Sequence, residues 1–391
     1  MTDLKPDRPD RFLMPDLVRA FALFGIAVVN VAGFAQPLTT GFHAGGLDRP
    51  ADQFAYGAVA TLFLMKSYPL FSMMFGAGLH YQQLAAERAN VDLRPRYFRR
   101  MAALLVLGGL HFIFFWIGDI LITYGLLGAL LFTLRGASVP GLVRTGAILI
   151  ALNTVLLLCL AGLLWGAERS APGQLAGYER MTADSLRAFG EGSFLDVARY
   201  RFVLLPTILV SLIGQQGLSV FGFFCFGLAA ANSGAISRPD APIWRRCRRI
   251  FLPLGLTGSL VGALILLQAH SSVDSTYLFG CAVMMGFSAF GALGYMGLIA
   301  ASAHKAGPIR RFAARAGSAS LTAYLLQSVI LSVIFTGYGL GAFGRLSAGE
   351  AIAVAAAAAV LSLAFVAVWR GFAARGPMEV LLRRVTYWGR A

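Results

Sequence analysis

Apolar residues run along this chain in long stretches near 15–36, 56–84, 100–117, 119–134, 145–165, 203–232, 250–268, 275–301, 318–338 and 350–369. About 20 such residues cross a bilayer core of about 30 Å. With so few charges inside them, these stretches satisfy their backbone in lipid only as helices. No run alternates apolar and polar residues as barrel strands do. The pattern predicts an all-α, polytopic integral membrane bundle of about ten transmembrane helices.

Three segments depart from the simple pattern. Pro206 and Gly214-Gln215-Gln216-Gly217 interrupt residues 200–232, which predicts a half-buried or broken helix followed by one span. Residues 166–199 mix Glu168, Arg169, Glu179, Arg180, Asp184 and Arg187, which suits a short surface helix. Gly376-Pro377-Met378-Glu379, then Arg383, Arg384 and Tyr387, suggest a short amphipathic helix. The chain therefore reads as one transmembrane domain over 1–391. A tail covers 1–14, the bundle 15–370 and an amphipathic tail 371–391.

Composition agrees: of 391 residues, 58% are hydrophobic and 13% charged, with mean hydropathy +0.70. Charge adds orientation. Arg88, Arg94, Arg96, Arg99 and Arg100 follow the second stretch, and Arg135 and Arg144 the fourth. Arg245, Arg246, Arg248 and Arg249 follow the sixth; Lys305, Arg310, Arg311 and Arg315 the eighth; Arg370, Arg375, Arg383 and Arg384 the tenth. Ten crossings put all of them on one side with Lys5, Arg8 and Arg11, and the positive-inside rule makes that side cytoplasmic. Both termini are expected there, the N-terminal segment as an uncleaved tail. The net charge of +15 is thus topogenic, and nucleic acid is not an expected partner. Cys159, Cys225, Cys247 and Cys281 form no CxxC pair, so neither a metal centre nor a disulfide framework is expected. Gly76 and Gly78 suit a close helix crossing, and exposed small-residue faces permit a homodimer without requiring one.

Polar groups inside such helices are costly, so each is a functional candidate beside its structural alternative. Asp16 and Arg19 share a face at the start of the first helix, as an interfacial ion pair or an anion site. Asn30 lies three turns further up that face, as a helix bridge or a site residue. His111, Trp116, Asp119 and Tyr124 form the densest constellation. A straight helix would hold His111 and Asp119 about 12 Å apart, but the turn after Gly118 can fold them together, where a carboxylate orients an imidazole. His43 lies in a loop near Asp48 and Asp52. Lys66 precedes Pro69, which is expected to bend its helix; the lysine either snorkels or sits in a cavity. In the ninth stretch Tyr324, Gln327 and Ser328 share a face near Thr322. The basic Arg310, Arg311 and Arg315 precede this helix start, an arrangement that suits an anionic ligand or plain interhelical hydrogen bonding.

The segments DLVRAFALFGIAVVN, LFSMMFGAGLH, LHFIFFWIGDILITYGLLG, GSASLTAYLLQSVILSVIFTGYGLGAFGRLS and RGPMEVLLRRVTYW together resemble the YeiB-like family of bacterial inner-membrane proteins, domain of unknown function 418. That family is similar to a wider group of transmembrane acyltransferases that includes heparan-alpha-glucosaminide N-acetyltransferase. The group's first helix carries an acid, an arginine and a polar residue, matched here by Asp16, Arg19 and Asn30. Asn30 stands where the surface-sugar enzymes carry His, and Arg19-Ala20 where Arg-Gly is common. The resemblance implies a bundle in the bacterial inner membrane that takes acyl-CoA, as acetyl-CoA, from the cytoplasm and passes the acyl group to an extracytoplasmic acceptor.

On that reading His111 is a general base, or less favoured the acyl-carrying nucleophile, with Asp119 orienting it and Asn30 at the developing oxyanion. Arg19, Arg315, Thr322, Tyr324 and Gln327 serve the CoA end. His43, Lys66, Trp116 and Tyr124 face the acceptor, and no metal takes part. The alternative is a transporter or exporter of a small or lipid-linked molecule, with Lys66, His111 and Asp119 as relay groups. No two-halves repeat of the kind many transporters carry is visible.

Overall fold

A computed structural model describes residues 13–170, 176–303 and 307–388. The basic residues Lys5, Arg8, Arg11 and Lys305 lie outside the described residues, as does most of the 1–14 tail. The described chain is all-helical, with no strand. Its helices are α1 (Leu13–Ala35), α2 (Pro50–Leu62), α3 (Ser67–Arg88), α4 (Leu93–Phe114), α5 (Leu121–Leu131), α6 (Val139–Ser170), α7 (Ala176–Glu191) and α8 (Phe194–Asn232). There follow α9 (Pro242–Arg246), α10 (Leu252–Leu266), α11 (Ser275–Ala303), α12 (Pro308–Gly317), α13 (Ser320–Phe335), α14 (Ala348–Phe372) and α15 (Pro377–Thr386). A π-helical stretch joins α9 to α10.

Among the described residues eight helical runs are long and apolar enough to cross a membrane. The pair α12 and α13, bent by 80°, makes a ninth if taken together. Such a set of lengths and compositions is that of a multi-pass membrane protein. The expected surface helix in 166–199 is α7, and the amphipathic tail helix is α15.

Two expectations change. Residues 194–232 form one unbroken 39-residue helix, not a broken one. The reason is Asn153 of α6, fully buried. Its carboxamide donates to the Gln215 carbonyl (2.8 Å) and accepts from the Ser219 amide (3.1 Å), the two partners of a single helical turn. The polar stretch is thus satisfied laterally while the helix continues.

The second change concerns 56–84, which breaks over Phe63–Lys66, before Pro69 and not at it. Pro69 sits in the first turn of α3, where a missing N–H costs nothing. At the break Met65 takes a positive φ of 55°. The buried Lys66 ammonium donates to the Leu64 carbonyl (2.8 Å) and to Ser259 Oγ (2.6 Å), so it satisfies a carbonyl that the break leaves without a helical partner.

The core depends on close backbone approach between α3 and α8. A Cβ on Gly76 would strike the Phe224 backbone, and one on Gly227 would strike the Met73 backbone. Gly78, by contrast, faces only the Gln82 side chain, so the crossing rests on Gly76. Around this pair pack Leu70, Met73, Met74, Phe223 and Phe224, all buried.

Candidate functional site

The site begins where α4 ends. The Phe115 and Trp116 amides both return to the His111 carbonyl, at 2.9 Å each, which closes the helix one turn beyond the histidine. The chain then turns at Gly118, where a Cβ would lie 2.6–2.7 Å from the Trp116 indole. Only glycine lets the turn pass so close to its own tryptophan. Asp119 follows, and its Oδ1 accepts the Ile122 amide (2.9 Å), capping the first turn of α5.

The same carboxylate meets His111: Nδ1 lies 2.7 Å from Asp119 Oδ2. Eight residues that a straight helix would separate are joined by the turn. Both side chains are almost wholly buried, at 2% and 1% exposure. With the carboxylate ionised and the imidazole neutral, Nδ1 is the donor in this contact and Nε2 carries the lone pair. That Nε2 is buried and has no hydrogen-bond partner among the described residues.

His111 is not alone in this. Both amide atoms of Gln327 and Trp116 Nε1 are also buried without a partner among the described residues, and the Tyr324 hydroxyl has only the Ile120 backbone near it. Tyr324 and Gln327 lie one turn apart on α13, and the Tyr324 ring sits 5.0 Å from the His111 ring. Buried polar atoms are paired in the great majority of cases, so this cluster is a candidate place for a ligand or water to supply the missing partners. Arg201 of α8 secures its frame. Buried itself, it donates to the Phe114 carbonyl at the end of α4 (2.6 Å) and to Ser332 Oγ on α13 (3.0 Å).

Two cavities approach the cluster from opposite ends of the bundle. The larger, about 650 Å³, opens at the end formed by the α1–α2 and α10–α11 connections and α7. Asn30, Tyr68, Trp116, Asp119, Gln215 and Tyr324 are on its wall. Asp119 is its one charged wall residue among those described. The smaller, about 420 Å³, opens at the end that carries the arginines. Arg19, Arg100, Arg370, Arg375 and Arg383 surround it, against a single acid, Glu379. Tyr324 is on the wall of both.

Residues 230–389 match the family described as Protein of unknown function (DUF418). The chain is 27% identical to the uncharacterized protein YxaH of Bacillus subtilis (strain 168), over 99% of this chain and 97% of that protein. It is 28% identical to the uncharacterized protein YeiB of Escherichia coli (strain K12), over 96% of each. It is YeiB-like and carries a DUF418 region. An uncharacterized 39.9 kDa protein of Bacillus acidopullulyticus is 24% identical over 95% of the chain. No solved structure matches it.

In this YeiB-like chain the residues singled out from sequence fall into groups. Asn30, Trp116, Asp119 and Tyr324 meet on the far-end cavity, with His111 directly behind Tyr324 and Asp119. Asp16 and Arg19 pair at 2.8 Å, and Arg19 reaches the basic-end cavity. Tyr124 lies on the basic-end cavity, its hydroxyl 2.7 Å from Ser72, and so stands on the other side from Trp116. Lys66 is engaged at the helix break. Arg315 is exposed on α12 and does not line the basic-end cavity. His43 lies against Tyr56 and Tyr277, with ring centroids at 5.6 and 5.8 Å. Burial pushes the His43 imidazole below its ordinary value, and the Asp274 carboxylate partly opposes this.

The start of α13, which suited an anionic ligand, already holds an anion from the chain itself. Glu379 Oε1 accepts the Leu321 and Thr322 amides (2.8 and 3.2 Å), and Oε2 accepts the Thr322 hydroxyl (2.6 Å). Sequence reasoning missed Arg100, Arg370, Arg375 and Arg383 as a group, because each also serves as a topogenic charge. The signal available was the amphipathic tail, whose basic face had to lie against something.

Proposed function

We propose that the protein is a membrane-embedded acyltransferase of the bacterial cytoplasmic membrane. It moves an acyl group, in the simplest case acetyl, from cytoplasmic acyl-CoA to an acceptor on the other side. The basic end is the cytoplasmic one under the positive-inside rule. Counting α5 and the α12–α13 pair as crossings makes ten and puts both termini there.

One observation carries the reading. A buried His111–Asp119 pair lies behind Tyr324, the residue on the walls of both a cationic cavity and a mostly apolar one, and Asp119 itself lines the apolar one. The arginines suit the phosphates of CoA. Helix direction orders the basic-end cavity by depth: Gln82, Tyr97 and Arg100 near the mouth, then Phe75 and Leu104, then Phe71, Leu121 and Tyr324. A charged head with an apolar arm fits that gradient. In the reaction, His111 Nε2 takes the proton of the acceptor's O–H or N–H as that atom bonds to the thioester carbonyl carbon. The C–S bond then breaks, and the CoA thiolate leaves and collects the proton. Asp119 holds the tautomer and balances the imidazolium. The Tyr324 hydroxyl is the donor available to the oxyanion, and Asn30 Nδ2, on the far-end cavity, is a donor for the incoming acceptor.

The test is binding of acetyl-CoA to the purified chain in detergent, followed by acyl release to water or to protein. Saturable binding lost in Arg100→Ala, with turnover lost in His111→Ala, is expected. No binding of acetyl-CoA at millimolar concentration overturns the reading.

The broken span at Phe63–Lys66 favours a second reading, transport. Discontinuous helices around a buried cation line substrate paths in many transporters. Uptake or efflux by reconstituted protein, with no acyl turnover, would select it.

A further inference from the structure

Among the described residues Tyr324 is the one side chain on the walls of both cavities, and its ring also lies against His111. Its ring is 3% exposed, and its hydroxyl, which makes no short hydrogen bond among the described residues, has the Ile120 backbone as its nearest polar neighbour. On the basic-end side the neighbours that close the slot with it are Phe71, Leu121 and Tyr124. Leu121 comes from the first turn of α5, directly after the Asp119 cap. The floor of the slot is therefore built on the two segments that carry the His111–Asp119 pair and the orphaned polar cluster.

Resting on the acyl-transfer reading, we propose that Tyr324, with Leu121, is the specificity-determining floor of the acyl slot. The ring stops the slot at the depth where the thioester carbonyl comes level with His111, and it leaves room for a short acyl group only. A longer chain must displace the ring into the far-end cavity, which the packed site resists. Discrimination comes from this one barrier. Past it lies a cavity of about 650 Å³ with mostly apolar walls, which would welcome further methylenes.

This makes a quantitative expectation. Each methylene that gains a buried apolar environment tightens binding by about fourfold. The wild-type protein should bind acetyl-CoA at least as tightly as octanoyl-CoA, because the longer chain has nowhere to go. Removing the ring joins the two cavities, and the order should invert.

The experiment is calorimetric titration of the full chain in detergent with acetyl-, butyryl- and octanoyl-CoA. The variants are Tyr324→Phe, Tyr324→Leu, Tyr324→Ala and Leu121→Ala. Tyr324→Phe should keep the short-chain preference, since the ring and not the hydroxyl sets depth. Tyr324→Ala should favour octanoyl-CoA over acetyl-CoA by tenfold or more. Tyr324→Leu keeps an apolar side chain in the core, and Leu121→Ala lowers the same floor from α5. Both should shift in the same direction if the alanine variant fails to fold. If the wild type binds acetyl-CoA but no variant changes the length order, Tyr324 is not the floor and only this proposal falls. If the wild type binds no acyl-CoA of any length, the acyl-transfer reading falls and this one with it.

Discussion

Asp119→Asn is the substitution whose outcome follows most directly from the geometry. Asp119 makes two hydrogen bonds, one accepted from the Ile122 amide and one shared with His111 Nδ1. Asparagine is isosteric, but its two ends differ. The Ile122 N–H can only donate, so it draws the Asn carbonyl oxygen to itself. The NH2 group is then left facing His111 Nδ1, which must become an acceptor. The ring proton moves to Nε2, where the lone pair had been. Both hydrogen bonds survive, so the fold should lose only about 1 kcal/mol from exchanging a charged bond for a neutral one. Catalysis should fall by about 10⁴-fold, the scale seen when a histidine base is held in the wrong tautomer. Asp119→Ala differs in kind: it strands the Ile122 N–H and Nδ1 in a buried site, at about 1–3 kcal/mol each. Two assays check this. Acetyl-CoA turnover should collapse in the asparagine variant while its melting temperature barely moves. Nitrogen NMR on histidine-labelled protein should show one imidazole, absent from the spectrum of His111→Gln, changing its protonated nitrogen. Unchanged turnover in Asp119→Asn, or an unchanged tautomer, would refute the reasoning.

Further outcomes concern the scaffold. Gly76→Ala puts a methyl group into the Phe224 backbone and should cost about 1–3 kcal/mol or more, read as a lower melting temperature, whereas Gly78→Ala should be nearly silent. His43 supplies a pH dependence. Its folded value lies below the ordinary 6.5, so its contribution to stability is present above that value and is lost as pH falls from there through the folded value. His43→Gln should flatten that part of a melting-temperature profile on the acid side of 6.5. Glu379→Ala removes the acceptor for two backbone amides at the start of α13 and should cost about 0.5–2 kcal/mol, with earlier proteolytic cleavage at 373–376 as the readout.

Much of this architecture was legible in the chain because lipid leaves so few choices. Length and apolarity alone mark α1, α6, α11 and α14, since a helix in hydrocarbon must satisfy its own backbone. The meeting of His111 and Asp119 was legible too, because Gly118 sits in the short turn between them. What stayed hidden depended on partners distant in sequence. Nothing local to Gln215 and Ser219 says that Asn153 will satisfy them, so the polar stretch looked like a break. Proline attracted the kink to Pro69, although the first turn of a helix tolerates it and the break fell before Lys66. The five arginines of the basic-end cavity come from α1, α4, α14, the α14–α15 connection and α15. Helical periodicity gives a residue's face but not the helix across from it, so their convergence could be seen only once the bundle was assembled.

The arrangement of α15 bears on how the protein is made. Glu379 and Arg383 come from this helix and Arg375 from just before it, after the apolar helices among the described residues. Membrane insertion can therefore run through α14 before the basic-end cavity has all its walls. An anionic ligand would meet a finished site only after α15 had emerged from the ribosome and docked. Ligand binding at that cavity would then report that synthesis had run past α14, since a chain stopped there would lack part of the cavity's wall.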